Sequence, residues 1–270
     1  MNGTNVLKNK KLFIFDMDGT IYLGEQVFPY AVDFINNLRK SGKKVLFFTN
    51  NASRSTETYV TRLEKMGFSP SFDEIMTSGD VTAEFLVRQR AGKNVYLMGT
   101  PDLEKNFTEK GINLIGGNEE KADIVVTSFD LTLTYEKLKN VCKYIMNGSE
   151  FFSTHPDLNC PTENGPIPDS GAISAFVTAS TGKKPTYFGK PSKETLVMIG
   201  EVTGVKEEDM CIFGDRLYTD IALGKLHGVT SVLVMTGETT YEDLKEASED
   251  DKPDFVFPSL KEVNELIFGK

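Results

Sequence analysis

Four strand-length apolar runs in this chain stop at a phenylalanine and pass directly into a polar cluster. Phe15 is followed by Asp16-Met17-Asp18-Gly19-Thr20, Phe48 by Thr49-Asn50-Asn51, Phe188 by Gly189-Lys190-Pro191, and Phe213 by Gly214-Asp215-Arg216. One polar residue is enough to cap a buried strand, so the second carboxylate after Leu12-Phe13-Ile14-Phe15 asks for a further reason. In an open parallel sheet the carboxyl ends of the strands share one edge, and ligands bind there. Four clusters spread over about two hundred residues can then converge, and together they carry a nucleophile, a hydroxyl, a cation and metal-binding acids.

The rest of the chain fits such a sheet. Strand-like runs at Lys11–Phe15, Lys43–Phe48, Asn94–Met98, Asp123–Thr127, Pro185–Phe188, Met210–Phe213 and Ser231–Val234 alternate with longer amphipathic stretches. Apolar residues recur three or four apart over Ala31–Lys40, Ser55–Met66, Tyr135–Met146, Lys193–Gly204 and Leu260–Phe268, which predicts helices. The pattern is that of an α/β protein with a largely parallel sheet. From His155 to Gly171 the chain reads HPDLNCPTENGPIPDSG, whose four prolines and two glycines predict a long irregular loop. Loops of that length in a compact domain are usually functional.

With 270 residues, the chain can bury a full core without disulfides. Its three cysteines, Cys142, Cys160 and Cys211, lack metal-ligand spacing and are expected to be reduced thiols. The first ten residues show no long apolar stretch or small-residue cleavage pattern and no later segment is of membrane length, so the expectation is a cytoplasmic protein without a membrane partner. A formal charge of −9 with both signs interspersed argues against nucleic acid as a partner.

The four clusters together suit phosphate-ester hydrolysis. A carboxylate can attack phosphorus and form an acyl phosphate, dividing one hard displacement into two easier ones. Asp16 is the candidate nucleophile. Its charge repels an anionic phosphate, so a hard divalent cation is needed between them, with Asp215 as a second carboxylate and Asp220 nearby. Asp18, two residues along an extended segment, shares the side of Asp16 and serves as general acid for the leaving group, then general base for water. Gly19 permits a sharp turn close to phosphate, and Thr20 can hydrogen-bond within it. Thr49 offers a hydroxyl ahead of a helix start, a corner that suits phosphate together with Asn50 and Asn51. Lys190 adds a compact positive charge for the non-bridging oxygens.

DMDGT at Asp16–Thr20, FTNN at Phe48–Asn51, GKP at Gly189–Pro191 and GDRLYTDI at Gly214–Ile221 resemble the four motifs of the haloacid dehalogenase superfamily. The Thr-Asn-Asn form, and the roughly 140 residues before the lysine, resemble the NagD-like or 4-nitrophenylphosphatase-like subfamily IIA. The resemblance implies a Rossmann-like core of residues 1–79 and 184–270 with an inserted α/β cap, of type IIA, over 80–183. It implies Mg2+ held by Asp16, the Asp18 carbonyl and Asp215, with Asp220 in an outer position, and Thr49 and Lys190 as phosphate ligands. STHPD and PIPDSGAI resemble the substrate-facing loop of the cap, which makes His155 and Asp157 candidates for the leaving group. Many relatives have Asn where His155 stands.

The leading expectation is a Mg2+-dependent phosphomonoesterase acting on a small phosphorylated metabolite, such as a nucleotide or a sugar phosphate. A phosphomutase or a phosphate-sensing binding module of the same fold is the alternative. Self-association through the cap, as a homodimer, is a further expectation from the resemblance.

Overall fold

The computed structural model describes residues 3–162 and 164–269. The chain divides into two compact units, one of Met1–Thr49, Thr56–Met76 and Ile199–Lys270, the other of Asn50–Ser55 and Thr77–Met198.

A six-stranded sheet organises the first unit, in the order Phe255–Phe257, Thr230–Val234, Met210–Gly214, Leu12–Phe15, Lys44–Thr49, Ile75–Thr77. The four pairings from Phe255–Phe257 through to Lys44–Thr49 are parallel. From Leu12–Phe15 the chain builds outward on one side, then returns and builds on the other, so the strand order reverses between Leu12–Phe15 and Met210–Gly214. Phe15 lies opposite both Phe213 and Phe47.

Aromatic packing holds these central strands together. The ring of Phe213 stacks on Phe15 with centroids 4.9 Å apart and on Phe13 at 5.9 Å, and Phe34 meets Phe15 edge-on at 5.9 Å. Such pairs contribute about 0.5–1.5 kcal/mol each beyond the area they bury. Phe34 comes from the helix Pro29–Lys40, which starts on a proline suited to the first helical position and buries Ala31, Phe34, Ile35 and Leu38 on one face. The helix Leu260–Phe268, capped by the Ser259 hydroxyl, adds Leu260, Val263 and Ile267 to the same core.

The second unit has its own sheet, in the order Thr186–Tyr187, Glu150–Ser153, Ile124–Thr127, Asn94–Met98, Asn113–Leu114, with every pairing parallel. Helices Ser78–Gln89, Pro101–Glu109, Tyr135–Met146 and Ser170–Thr181 belong to it. The strand that leads to Lys190 therefore pairs with Glu150–Ser153, and the shared-edge argument holds for three polar clusters, not four. The segment expected to be irregular carries a short antiparallel ladder, Asn159–Cys160 with Ile167–Pro168, and passes into a helix at Ser170. Among the described residues, no helix is long and apolar enough to cross a membrane.

Candidate active site

Asp16 directly continues its strand: its amide donates to the Phe213 carbonyl at 2.9 Å, extending the ladder by one bond. Asp215 follows the neighbouring strand by one residue. Adjacent strand ends at the reversal of strand order thus deliver two carboxylates to one place. Asp220 joins them from the turn Leu217–Ile221, a wide π-type turn of the kind often found at functional sites. Each of Asp16, Asp215 and Asp220 offers a carboxylate oxygen, and these oxygens lie within 4.8 Å of one another. A side chain on Gly214 would collide with Asp220, so glycine at that position is what admits the third acid.

The donor set fits a hard divalent cation. Three carboxylates at this separation repel one another, and oxygen-only ligation with room for waters is what Mg2+ accepts. Asp215 is also cradled from two sides: a Cβ on Gly19 or on Gly237 would strike its carboxylate. The Glu238 amide donates to Asp215 Oδ2 at 2.6 Å, and the Thr239 amide donates to its carbonyl at 3.1 Å. Beside the acids sits Arg216, whose Nε pairs with Glu238 at 2.9 Å. Burial opposes its charge, but Asp16, Tyr218, Glu238 and Asp215 outweigh that and raise the guanidinium pKa above its ordinary value.

Asp18 stands apart from the trio. The chain does not stay extended after Asp16: the amides of Thr20, Ile21 and Tyr22 all fold back on the Met17 carbonyl. The Asp18 carboxylate is exposed and accepts from the Gly24 amide at 3.2 Å, at the tip of the hairpin Tyr22–Leu23 and Gln26–Val27. Gly19 takes φ +87°, and its carbonyl accepts from the Thr236 hydroxyl at 2.6 Å. The turn bond expected of the Thr20 hydroxyl is not made; that hydroxyl is fully buried with no hydrogen-bond partner among the described residues. Tyr22 stays a neutral phenol, since burial pushes its pKa up against the opposing effect of Arg62, with Tyr59, Asp16 and Asp18 adding to the rise. Thr49 ends its strand half-buried.

The remaining candidates lie in the second unit and are tied to one another there. Phe188 donates its amide to Ser153 and packs between Phe85 and Phe152, with centroids 4.9 and 5.6 Å away. Gly189 then turns the chain at φ +71°, and Lys190 follows, almost fully buried. Asn50 clasps the main chain of Lys190 and also donates to both oxygens of Asp157, at 3.1 and 3.2 Å. Asn51 accepts from both the amide and the hydroxyl of Ser53, a local turn. His155 is wholly buried, its Nε2 2.7 Å from Asp169 and its Nδ1 within hydrogen-bond distance of Ser78 and Thr154.

Sequence reasoning passed over the segment Thr236–Gly237–Glu238, which wraps Asp215. The signal available for it was a glycine between polar residues, again soon after a buried strand end.

Models of two families match the chain: one described as haloacid dehalogenase-like hydrolase over residues 13–113, and one described as HAD-hydrolase-like over 187–263. The acid sugar phosphatase of Staphylococcus saprophyticus is 34% identical over 257 residues, covering 95% of this chain and 98% of that protein. Among solved structures, 4-nitrophenylphosphatase from Thermotoga maritima aligns with a TM-score of 0.91 at 44% identity, covering 97% of this chain and 99% of that one. Glycerol phosphate phosphatase from Mycobacterium tuberculosis, in complex with magnesium, aligns with a TM-score of 0.86 at 28% identity, covering 94% and 76% respectively.

Proposed function

The chain belongs to the haloacid dehalogenase superfamily, in its NagD-like subfamily IIA, and is a phosphoric monoester hydrolase; from that premise we propose that it hydrolyses a small phosphorylated metabolite through an aspartyl phosphate on Asp16, with Mg2+ as cofactor. The observation that carries this reading is the carboxylate trio of Asp16, Asp215 and Asp220 at the point where the strand order reverses.

In the first step an Asp16 oxygen attacks phosphorus, the bond from phosphorus to the alcohol oxygen breaks, and Asp18 gives that oxygen its proton. In the second, Asp18 as carboxylate takes a proton from water, whose oxygen attacks the same phosphorus. Inorganic phosphate leaves and the Asp16 carboxylate is restored. Exposure of Asp18 beside a hairpin tip suits a group that must meet both an alcohol and water.

Asp16, the Asp18 main-chain carbonyl and Asp215 would hold the cation, with Asp220 behind them. When bound, it supplies positive charge that offsets repulsion between the carboxylates and an anionic phosphate. Gly19, Thr49, Asn50, Asn51 and Lys190 are assigned to the phosphate. Residues 80–183, which hold most of the second sheet, are assigned as the cap that selects the leaving group, with Asp157 as its polar contact. His155, sealed from solvent and engaged at both ring nitrogens, is better suited to support than to substrate contact.

The relatives' names span sugar, glycerol and nitrophenyl phosphates, whose common element is a phosphomonoester of a small alcohol or phenol. The test is phosphate release from a panel of such esters, with Mg2+ and with EDTA. Mg2+-dependent release from the protein is expected. Folded protein that releases no phosphate from any ester, or releases it equally in EDTA, would sink the proposal.

A further inference from the structure

Behind Lys190, in the second unit, lies a buried polar chain that the reaction as proposed does not use. His155 and Asp169 are both almost wholly buried and meet at 2.7 Å. An ionised carboxylate only accepts, so the ring carries its hydrogen on Nε2 toward Asp169. Asp169 also accepts from the Ser170 amide at 2.5 Å, which makes it the cap of the helix Ser170–Thr181. On the other side, Nδ1 packs 3.2 Å from the Ser78 hydroxyl, whose one hydrogen goes to the Asn50 carbonyl at 2.5 Å, so the ring buttresses that hydroxyl by contact. Asn50 in turn grips Lys190 at both its amide and its carbonyl. A second path is steric. A Cβ on Gly189 would strike the Cβ of His155, the Thr154 carbonyl and the Asn50 side chain, so the turn before Lys190 rests directly on His155.

We infer that His155 and Asp169 form a positioning dyad that sets the main chain of Lys190 through Ser78, Asn50 and Gly189, and so aims the lysine ammonium at the transferring phosphoryl group. This rests on the assignment of Lys190 to the phosphate. Burying a carboxylate against an imidazole is a costly way to gain stability, because desolvation takes back most of the attraction. As a rigid support it is apt, because a misplacement of about 1 Å in a catalytic group can cost on the order of 100-fold in rate.

A double-mutant cycle with 4-nitrophenyl phosphate separates positioning from plain structural support. The variants are His155→Phe, which keeps a ring and removes both nitrogens, and Ser78→Ala, which cuts the link to Asn50 without leaving a buried carboxylate unpaired. Each is made alone and with Lys190→Ala, and its fold is checked by circular dichroism. His155→Phe should lower kcat on the order of 10- to 100-fold at nearly constant KM. Ser78→Ala, which remains informative if His155→Phe does not fold, should act in the same direction but less. In the Lys190→Ala background both should cost less than about twofold, since the group they position is gone. Losses that multiply in full with that of Lys190→Ala would overturn the dyad while leaving the lysine assignment in place. An unchanged rate for Lys190→Ala itself would overturn that assignment and the dyad with it.

Discussion

The side chain of Asn50 reads both polar groups of one residue: its Oδ1 accepts from the Lys190 amide at 2.8 Å, and its Nδ2 donates to the Lys190 carbonyl at 3.0 Å. The pairing is buried and joins positions 140 residues apart in sequence. Asn50→Ala would leave both main-chain groups unsatisfied and should cost about 1–3 kcal/mol. Asn50→Asp should cost more despite its matching shape. It would set a carboxylate oxygen against the Lys190 carbonyl and the two oxygens of Asp157, where the amide now donates. Urea denaturation checks the order, and an Asp variant as stable as wild type would show that the amide's orientation is immaterial.

Asp16→Asn separates the proposed nucleophile's chemistry from its electrostatics. Turnover should fall to background, because an amide is not a competent nucleophile, and no phosphate should remain on the protein after incubation with labelled ester. In EDTA, however, the variant should melt higher than wild type. Asp16, Asp215 and Asp220 crowd within 4.8 Å of one another, and removing one charge relieves that repulsion. Each kcal/mol gained raises Tm by about 2–4 °C in a chain of this class. Mg2+ at about 100 times its Kd should stabilise wild type by about 2.7 kcal/mol, and Asp16→Asn by less. Scanning calorimetry with and without Mg2+ reads both effects.

Much of the first unit is legible from short rules. Leu12-Phe13-Ile14-Phe15 and Met210-Cys211-Ile212-Phe213 are too apolar for anything but buried strands, and both are strands. The helix Pro29–Lys40 follows from its apolar spacing. The second unit is harder to read. Ser170–Thr181, read as SGAISAFVTAST, is rich in small and β-branched residues with weak helix preference, and burial of Ile173, Ser174 and Val177 holds it in place. Ser78–Gln89 buries most of its first two turns, so the polar face that marks an amphipathic helix is missing. The pairing of Thr186–Tyr187 with Glu150–Ser153 could not be read from residue types, because a two-residue strand carries no address for its neighbour. Asp16 and Asp215, which the structure brings together, stood out because each follows a long apolar run. The role of Glu238 was hidden because it acts through its main-chain amide, a group every residue has.

The helix that presents Ser78 also carries a pH-sensitive anchor. Glu84 accepts from Lys110 at 2.7 Å and from Arg88 at 3.1 Å. Burial pushes its carboxyl pKa up, but the two cations outweigh burial and hold it below the ordinary 4.5. A depressed carboxyl pKa adds stability that is fully present above the unfolded value and is lost as pH falls through the folded one. Glu84→Gln should therefore cost up to about 1 kcal/mol at pH 7. That difference should shrink below pH 4.5 and vanish once the carboxyl is protonated in both states. Parallel urea curves for the two proteins from pH 7 to pH 3 test this, and a constant gap across the range would refute it.

Gly237 gives the sharpest test of the cradle around Asp215. Its φ lies outside the left-handed range, so the strain of a positive φ does not arise there and the expected effect comes from space. A Cβ at 237 would occupy the position of the Asp215 carboxylate, which is held by the Glu238 amide and cannot move without losing that bond. Gly237→Ala should therefore displace the carboxylate assigned to the metal while changing no charge. Mg2+ affinity, measured by isothermal titration on the folded protein, should fall on the order of 10- to 100-fold, the scale seen when a ligand's supporting partner is lost. Activity should recover in part at high Mg2+, since Asp16, the proposed nucleophile, is untouched. Gly19→Ala crowds the same carboxylate but also strains a residue at φ +87°, so it should lose stability as well as affinity. If Gly237→Ala binds Mg2+ as wild type does, Asp215 is not held by this cradle and its place among the metal ligands must be given up.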